Sequence, residues 1–382
     1  MKRYAIFFPQ FHRVKVNDLA WGHGFTDWSL VSAANAFNYW TRRAPACGFY
    51  DLSNMSEMQD RIESASDAGL DGFGIYHYRF DDGSELDAVE RYLRQSSLPV
   101  GFQYFFIWAN EDWSKRWVEN DTKILKSVPT APNRKQVADH VDYIKPYMES
   151  ESYAKVFKKP MFVIYRPDWF KDPAATVSLY REEFERVGLR ASIGCFVKNV
   201  ADVGYSNLFD FCYIFEPRMF FNFQGLRKNV TVVNLYRKLL GFISPEKGEW
   251  LSEYINRFSR KHSNQFSFAE FLSYFKSNER QQLIKSLNCP VQNVLTSGWN
   301  NVPRYRQYFT QVDVPEPDQF SMMLKHSLGN QSLSDDVPLL CNAWNEWSEG
   351  AAIEPCAYLG DALLKEYLRP CDLRTEEEGI EQ

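Results

Sequence analysis

The chain of 382 residues is 45% hydrophobic and 24% charged. This is the composition of an ordinary globular protein, which excludes intrinsic disorder, collagen and disulfide-dense miniproteins. A formal net charge of −5 gives no basic surface for nucleic acid or anionic lipid, so no nucleic-acid partner is predicted.

The seven cysteines contain no Cys-x-x-Cys pair, and the six histidines are equally scattered. We therefore expect no zinc or iron–sulfur site, no other metal and no cofactor, and a reducing compartment is favoured. The apolar run Tyr4–Phe8 is too short for a signal peptide, and no stretch approaches the ~20 apolar residues of a membrane span. The sequence predicts a cytoplasmic protein without a transmembrane segment.

Short apolar runs recur along the chain, and most are followed by a helical pattern. The predicted strands are Tyr4–Phe8, Gly72–Tyr76, Val100–Trp108, Pro160–Tyr165, Ala191–Val197, Phe209–Phe215, Val291–Thr296 and Pro338–Ala343. The predicted helices are Ser56–Gly69, Ser84–Gln95, Arg134–Met148, Ala174–Val187, Trp250–Arg260, Phe268–Lys276 and Asp361–Leu368. Nearly continuous apolar runs are typical of parallel strands buried on both faces. The repeated strand–helix units indicate an α/β fold, a (β/α)8 TIM-like barrel.

A doubly wound sheet is the alternative fold, but its phosphate-binding motif is missing. The glycines at Gly69, Gly72 and Gly74 reverse the spacing of Gly-x-Gly-x-x-Gly and enter a strand instead of leaving one. We therefore predict a single catalytic barrel domain over 1–373, with an inserted region after the sixth strand at about 219–290. This insertion is either a long excursion or a small subdomain that roofs the site. We expect residues 374–382 to form an acidic flexible tail.

Polar and aromatic residues follow the predicted strands, at the end where (β/α)8 barrels place their active sites. Flat Trp and Tyr faces beside paired hydrogen-bonding groups suit a sugar, whereas the Gly-rich or Lys-rich cradles that bind phosphate are missing. The sequence therefore predicts a carbohydrate substrate. The candidate substrate-binding residues are Gln10, His12, Trp28, Tyr76, His77, Tyr78, Trp108, Asn110, Glu111, Arg166, Glu216, Trp299, Asn300, Asn345 and Trp347.

Several of these candidates have an alternative role. His12 and His77 either bind hydroxyl groups or are structural groups satisfied within the barrel. Glu111 either reads a sugar hydroxyl or pairs with Arg116, and Arg166 more often holds a rim carboxylate than a substrate. Trp28 lies in the long loop after the first strand, where it stacks on a sugar or packs the loop.

Glu346 and Glu349 follow the eighth predicted strand and lie beside two tryptophans. Cleavage of a glycosidic bond needs one carboxyl group to protonate the leaving oxygen and a second to assist displacement. Two carboxylates crowded into an aromatic pocket raise the pKa of at least one of them, as an acid catalyst requires. The alternative is a solvated helix start, where Glu is common. Together with the rim, the pair predicts a catalytic site.

Other enzyme classes lack their motifs. The chain has no Gly-x-Ser-x-Gly and no His-Glu-x-x-His sequence. It also has no Asp-x-Asp triplet, so metal-dependent handling of a sugar nucleotide by a Rossmann-like transferase is unsupported.

Six groups of unusual residues run in order along the chain. They are Phe7–His12, Gly24–Trp28, Asp71–Phe73 with Tyr76–Tyr78, Trp108–Glu111, Gly298–Asn300 with Pro303 and Arg304, and Asn345–Gly350 with Glu354 and Pro355. Together they resemble the WbsX-type glycosyltransferase family, which is similar to glycoside hydrolase family 99, the endo-α-mannosidases and endo-α-mannanases. The resemblance implies a (β/α)8 barrel and a role in making bacterial surface polysaccharide such as O-antigen or capsule. It also adds Glu354 to the candidate substrate-binding residues.

The family motif Glu-Trp-x-Glu falls on Glu346 and Glu349. The hydrolase relatives retain configuration without an enzyme nucleophile. One Glu draws the proton from the sugar's 2-hydroxyl, which closes a 1,2-anhydro ring, and a second Glu protonates the leaving group. The resemblance thus implies that Glu346 is the base and Glu349 the acid/base. This sequence departs from the family at Asp27, where Glu is usual, at Arg79, where Trp is common, and at Asn300, where Asp is expected, which leaves the sugar specificity open.

Three functions remain open. The first is a cytoplasmic glycosyltransferase that builds a polysaccharide repeat unit from an oligosaccharide, lipid-linked glycan or nucleotide sugar, in peripheral contact with the assembly machinery. The second is a retaining endo-α-mannosidase-like hydrolase or transglycosylase, favoured by the Glu pair and the missing Asp-x-Asp. The third is a non-catalytic glycan-binding barrel, against which the Glu pair argues. The first two share glycosidic-bond chemistry, and we prefer the first.

Overall fold

The computed structural model describes residues 1–36, 44–115, 123–224, 264–305, 309–357 and 359–370. Its centre is a closed barrel in which each strand pairs in parallel with the next and the last pairs with the first. The barrel strands are β1 (Arg3–Phe7), β2 (Gly72–Phe80), β3 (Gln103–Trp108), β4 (Lys159–Ile164), β5 (Ser192–Val197), β6 (Phe211–Phe215), β7 (Val291–Thr296) and β8 (Leu339–Asn342). The predicted (β/α)8 barrel is confirmed.

The strands are buried on both faces, inside the barrel and against the surrounding helices. Every residue of β5, β6 and β7 is buried, as the continuous apolar runs predict. Packing between neighbouring strands is close enough to require a glycine at one place. A Cβ added at Gly194 on β5 would lie 2.3 Å from the ring of Phe211 on β6.

Helices lie between the strands on the outside of the barrel. The described helices include α1 (Lys15–Trp21), α2 (Asp27–Ala36), α3 (Met55–Asp67), α4 (Ala88–Gln95), α5 (Arg134–Met148), α6 (Pro173–Arg186), α7 (Phe268–Phe275), α8 (Asn278–Ser286), α9 (Pro317–Leu328) and α10 (Ala362–Leu368). Several begin at a side-chain cap, including Asn133 before α5, whose side chain accepts from the backbone of Gln136. No helix in these ranges combines the length and the apolar character needed to cross a bilayer.

The segment after β1, predicted as a loop, contains α1 and α2. Four of the ten residues of α2 are Asp, Ser or Asn, types that favour caps and turns over helix interiors, so its sequence resembles a loop. The helix predicted from Ser84 begins at Ala88 instead, because Gly83–Glu85 first pairs back onto the end of β2 as a hairpin.

Two further helices, α8 and α9, were not predicted. Helix α9 carries a proline at its first position and a capping box, which are helix-start signals that the apolar pattern alone does not reveal. Of the predicted insertion 219–290, the described residues include α7 and α8, whereas the predicted helix Trp250–Arg260 and the tail 374–382 lie outside the described residues.

Candidate active site

The carboxyl ends of the barrel strands open into a cavity of about 640 Å³, within the range of small-molecule sites. All eight strands, or the residues within three positions after them, contribute to its wall. Its aromatic residues are Phe8, Tyr76, Tyr78, Tyr165, Trp169, Phe215, Trp299 and Tyr305. Its charged residues are Glu111, Asp112, Arg166, Asp168, Lys198, Arg218, Arg304, Glu346 and Glu349.

The two predicted catalytic glutamates lie in this wall, on a tight turn after β8. The short strand Asn345–Glu346 pairs antiparallel with Ala351–Ala352, and a single helical turn, Trp347–Glu349, connects them. Gly350 closes the turn at φ 64°, in the left-handed region that favours glycine. The Asn345 side chain fixes the turn to β1, because it accepts from the Phe8 N–H at 2.7 Å and donates to the Phe8 carbonyl at 3.0 Å.

Arg304 brings three carboxylates together beside this turn. Its Nη2 lies 3.0 Å from an oxygen of Asp27 and 3.3 Å from an oxygen of Glu346, and its Nη1 lies 3.6 Å from Glu349. The Ser348 hydroxyl accepts from Arg304 at 2.9 and 3.0 Å and lies 2.7 Å from Asp27 and 2.9 Å from Glu346. Asp27 and Ser348 thus hold the guanidinium against the Glu pair.

Burial raises the pKa of Glu346 well above its usual value, and it raises the pKa of Glu349 as well. Arg304 opposes the shift at both glutamates, while Asp27 adds to it at both. The Glu349 side chain is 18% exposed and that of Glu346 is 5% exposed. One guanidinium faces three carboxylates here, and like charges this close cannot all ionise without cost, so the cluster retains a proton more readily than isolated glutamates do.

Five other predicted site residues line the cavity. Tyr76 and Tyr78 project from the end of β2, and Trp299 follows β7. Arg166 pairs with Glu111 at 3.1 Å and with Asp168 at 2.6 Å. Arg166 therefore holds rim carboxylates, one of the two roles considered for it. Arg116, the alternative partner of Glu111, lies outside the described residues.

Four of the remaining candidates lie directly behind the wall and support it. The Gln10 amide donates to the Tyr78 hydroxyl at 3.0 Å, and Asn110 exchanges two hydrogen bonds of 2.7 Å with the backbone of Arg166. The Trp347 indole donates to Glu354 at 2.8 Å. The polar groups of these four side chains form hydrogen bonds within the protein, and the side chains lie outside the cavity wall. The Asn345 side chain, bound to the backbone of Phe8, also lies outside the wall.

The next four candidates are absent from the residues that line the cavity and are held by partners of their own. His77 contacts Glu90 at 2.9 Å and His140 at 3.0 Å. Glu216 forms a fully buried ion pair with Arg280 at 3.0 Å. The Trp108 indole donates to a backbone carbonyl at 3.2 Å, and Asn300 donates to a glutamine side chain at 3.2 Å.

His12 and Trp28 also lie outside the wall, packed within the segment that follows β1. Trp28 is stacked between Phe11 and Phe49, at centroid distances of 4.0 and 4.5 Å. Trp28 lies on α2 and packs within the segment after β1, which corresponds to the second of its two predicted roles. His12 is buried, and burial lowers its pKa to about 4, with Arg91 adding to the effect.

Sequence reasoning missed several residues of the site. Asp27, Ser348 and Arg304 belong to the six groups of residues that resemble the WbsX family, but the sequence analysis predicts no catalytic or binding role for them. Tyr165 and Lys198 line the cavity directly after β4 and β5, so their place after a strand was the available signal. Within the described ranges, no group of three or more His, Cys, Asp or Glu side chains is arranged to hold a metal ion.

Comparison with known proteins adds the family. Residues 3–367 match the family model described as glycosyltransferase WbsX. The chain belongs to the WbsX family. Proteins named WxcX from two strains of Xanthomonas campestris, B100 and ATCC 33913, are 28% and 27% identical over 389 and 390 residues. These matches cover 97% of this WbsX-family chain but 50% of either relative, so the chain spans about half their length.

Solved structures with the same architecture include a family 99 endo-α-mannosidase from Bacteroides thetaiotaomicron. Its TM-score is 0.54 at 13% identity, covering 96% of this chain and 95% of that one. A structure described as a glycoside hydrolase-like protein has a TM-score of 0.52 at 13% identity, covering 88% and 91% of the two chains. At these identities the likeness shows the barrel fold.

Proposed function

We propose that this protein is a glycosyltransferase that makes or rearranges glycosidic bonds in bacterial surface polysaccharide biosynthesis. The observation that carries the proposal is the position of Glu346 and Glu349 around Arg304, in an aromatic-lined cavity at the carboxyl ends of the barrel strands. Membership of the WbsX family and relatives in Xanthomonas campestris support a bacterial glycan as substrate. A cytoplasmic location with peripheral contact to the assembly machinery is part of this proposal.

Glu346 and Glu349 differ in ways that suit different roles. Glu346 is held by two donors, Arg304 and Ser348, and this fixed carboxylate suits a base that must meet one particular hydroxyl. Glu349 is the more exposed of the two, so it suits an acid/base that exchanges protons with a leaving group and then with an acceptor. Burial raises the pKa of both, which favours proton transfer near neutral pH.

The proposed reaction needs no nucleophile from the protein, because the 2-oxygen of the sugar itself attacks the anomeric carbon. Glu346 takes the proton of the sugar's 2-hydroxyl, the 2-oxygen attacks the anomeric carbon, and the bond to the leaving oxygen breaks as Glu349 protonates it. A hydroxyl of the acceptor then opens the 1,2-anhydro ring, giving its proton to Glu349, while Glu346 returns a proton to the 2-oxygen. Configuration is retained overall, and the two carboxyl groups end in their starting states.

A second candidate is a retaining endo-α-mannosidase-like hydrolase or transglycosylase. The same two glutamates serve both, because water as acceptor gives hydrolysis and a sugar hydroxyl gives transfer. The barrel shared with a family 99 endo-α-mannosidase favours this candidate. A non-catalytic glycan-binding barrel is the third possibility, and the burial of two carboxylates around one cation argues against it.

A thermal-shift panel separates these candidates. It compares nucleotides and nucleotide sugars with manno-oligosaccharides and mannose-like imino sugars, because a ligand at 100 times its Kd stabilises the folded state by about 2.7 kcal/mol. Stabilisation by UDP or GDP species supports transfer from an activated donor. Stabilisation by glycans or imino sugars alone favours the hydrolase, and a protein that none of these ligands stabilises contradicts the proposal.

A further inference from the structure

Two cations, Lys198 and Arg218, line the side of the cavity formed by β5 and β6. Lys198 directly follows β5, and Arg218 lies after β6 at the start of a helix whose described part is 218–224. Residues four apart share one face of a helix, so Arg218 lies on the same face as Asn222. The Asn222 amide donates to the backbone carbonyl of Lys198 at 2.7 Å. This contact brings the two cationic side chains to one part of the wall.

The Lys198 side chain is only 8% exposed, yet its ammonium has few partners. It lies 4.1 Å from the centroid of the Tyr165 ring and 3.9 Å from an oxygen of Asp168, beyond hydrogen-bond distance. Asp168 is itself bound by Arg166 at 2.6 Å. Among the described residues, no acceptor lies within hydrogen-bond distance of the Lys198 ammonium. A buried charge without such a partner is costly, so this ammonium is available to a ligand in the cavity.

The electrostatic surroundings of Lys198 agree with this description. Burial lowers its pKa to about 8, although Glu111 and Asp168 raise it, and Arg166 lowers it further. An anion placed beside the ammonium would restore the lost stabilisation of the charged form.

Arg218 adds a second donor group nearer the mouth of the cavity. Its side chain is exposed, and its guanidinium lies 5.9 Å from the centroid of the Trp299 ring. In the described ranges, no carboxylate lies within ion-pair distance of it. Arg166 is already paired with Glu111 and Asp168, and Arg304 with the carboxylate cluster. Among the described cations of the cavity wall, Lys198 and Arg218 are those that remain open to a ligand.

We propose that Lys198 and Arg218 form a subsite for an anionic group of the substrate, the carboxylate of a uronic acid or the phosphate of a glycosyl phosphate. The ammonium supplies up to three donors, and the guanidinium supplies a planar fork that fits two oxygens of either group. The reacting glutamates are carried by β8, three strands away from β5 around the barrel. The inference rests on the proposed function, because the anion is part of the glycan or of its donor.

The test measures dissociation constants by calorimetry for matched charged and neutral sugars. Glucuronate, galacturonate and mannuronate are compared with glucose, galactose and mannose, and the 1-phosphates of glucose and mannose with the corresponding methyl glycosides. We expect the wild-type protein to bind at least one charged sugar about tenfold more tightly than the matched neutral sugar, because one charge-assisted hydrogen bond is worth about that factor. Preference in the uronate arm identifies a carboxylate as the anion, and preference in the phosphate arm identifies a phosphate.

Variants assign the preference to the subsite. Lys198→Met should remove most of the preference for the charged sugar, whereas Lys198→Arg should keep it. Arg218→Gln should reduce the preference by a smaller factor of about threefold, because exposed charges are screened by water. Lys135→Met is the matched control. The Lys135 side chain is 83% exposed on α5, and the substitution changes the net charge by the same amount as Lys198→Met. If Lys198→Met does not fold, Arg218→Gln and the wild-type comparison decide the result.

Equal binding of charged and neutral sugars by wild type, or a preference that survives in both Lys198→Met and Arg218→Gln, overturns the subsite. If the wild-type protein binds neutral and charged sugars equally well, the proposed function is still supported, because the protein binds sugars. If neither charged nor neutral sugars bind, the subsite and the proposed function are both contradicted.

Discussion

Replacing Arg304 with Met tests the charge arrangement at the centre of the site. The substitution removes the guanidinium that contacts Asp27 at 3.0 Å, Glu346 at 3.3 Å and Glu349 at 3.6 Å, while a straight side chain of similar length remains. The three carboxylates then face one another without this counter-charge, in a place from which water is largely excluded. We therefore expect the folded state to be destabilised at neutral pH.

The expected size follows from the burial of the cluster. Removing one partner of a buried ion pair costs about 3–5 kcal/mol. An unfolding entropy of about 2.1 cal/mol/K per residue gives roughly 0.8 kcal/mol for each degree of Tm in a chain of 382 residues. Arg304→Met should therefore lower Tm by about 4–6 °C at pH 8.

The loss should also depend on pH. The pKa values of Glu346 and Glu349 are already raised by burial, and loss of Arg304 raises them further. A carboxyl group whose pKa is raised by folding destabilises the folded state above that pKa and has no such effect below the unfolded value. The difference in Tm between wild type and Arg304→Met should therefore be largest at pH 8 and shrink as the pH falls towards 5.

Scanning calorimetry from pH 5 to 8 measures this difference. Arg369→Met is the matched control, because it breaks a surface pair with Glu366 at a side chain 63% exposed, worth well under 1 kcal/mol. A Tm loss for Arg304→Met that is as small as that of the control, or that stays constant with pH, would refute the reasoning.

Three further predictions follow from the same structure. The profile of kcat/KM against pH should be bell-shaped, with both limbs above the ordinary glutamate pKa of 4.5 because burial raises the pKa of Glu346 and of Glu349, and a flat profile from pH 5 to 9 would contradict this. Ser348→Ala should lower kcat about tenfold with little change in KM, since it removes one hydrogen bond that positions Glu346, as steady-state kinetics would show. Gly194→Ala should cost about 1–3 kcal/mol of stability through overpacking, whereas Gly204→Ala, whose added Cβ has no neighbour within 4 Å, should leave the denaturation midpoint unchanged.

The barrel was predictable because its strands follow a local rule. Strands buried on both faces are continuous apolar runs, and β7 has the predicted bounds Val291–Thr296. Helix α5 also matches at both ends, Arg134–Met148, where a capping box on Asn133 defines the start. Helices α1 and α2 were missed because they lie in a segment rich in polar and turn-forming residues, where no periodic apolar pattern marks a helix.

The candidate site was predictable as a region, but the direction of each side chain was not. Successive residues of a strand point to opposite faces. Tyr76 and Tyr78 therefore face the cavity, while His77 between them faces the helix layer and contacts His140. A prediction that treats all residues at the end of a strand alike therefore includes side chains that face the cavity together with side chains that face the helices. The addition of Asp27 and Arg304 to the predicted Glu pair was not predictable, because these two residues meet across 277 positions of sequence.

The most direct test of the central claim is the turnover of Glu349→Gln on the ligand that the thermal-shift panel identifies. The amide keeps the shape of the side chain but carries no transferable proton. We predict that kcat falls by about a hundredfold or more while the Kd of the ligand changes less than threefold. Glu182→Gln, on the exposed face of α6, should keep wild-type turnover. Wild-type turnover by Glu349→Gln would contradict the account, and a change confined to Kd would make Glu349 a binding residue instead.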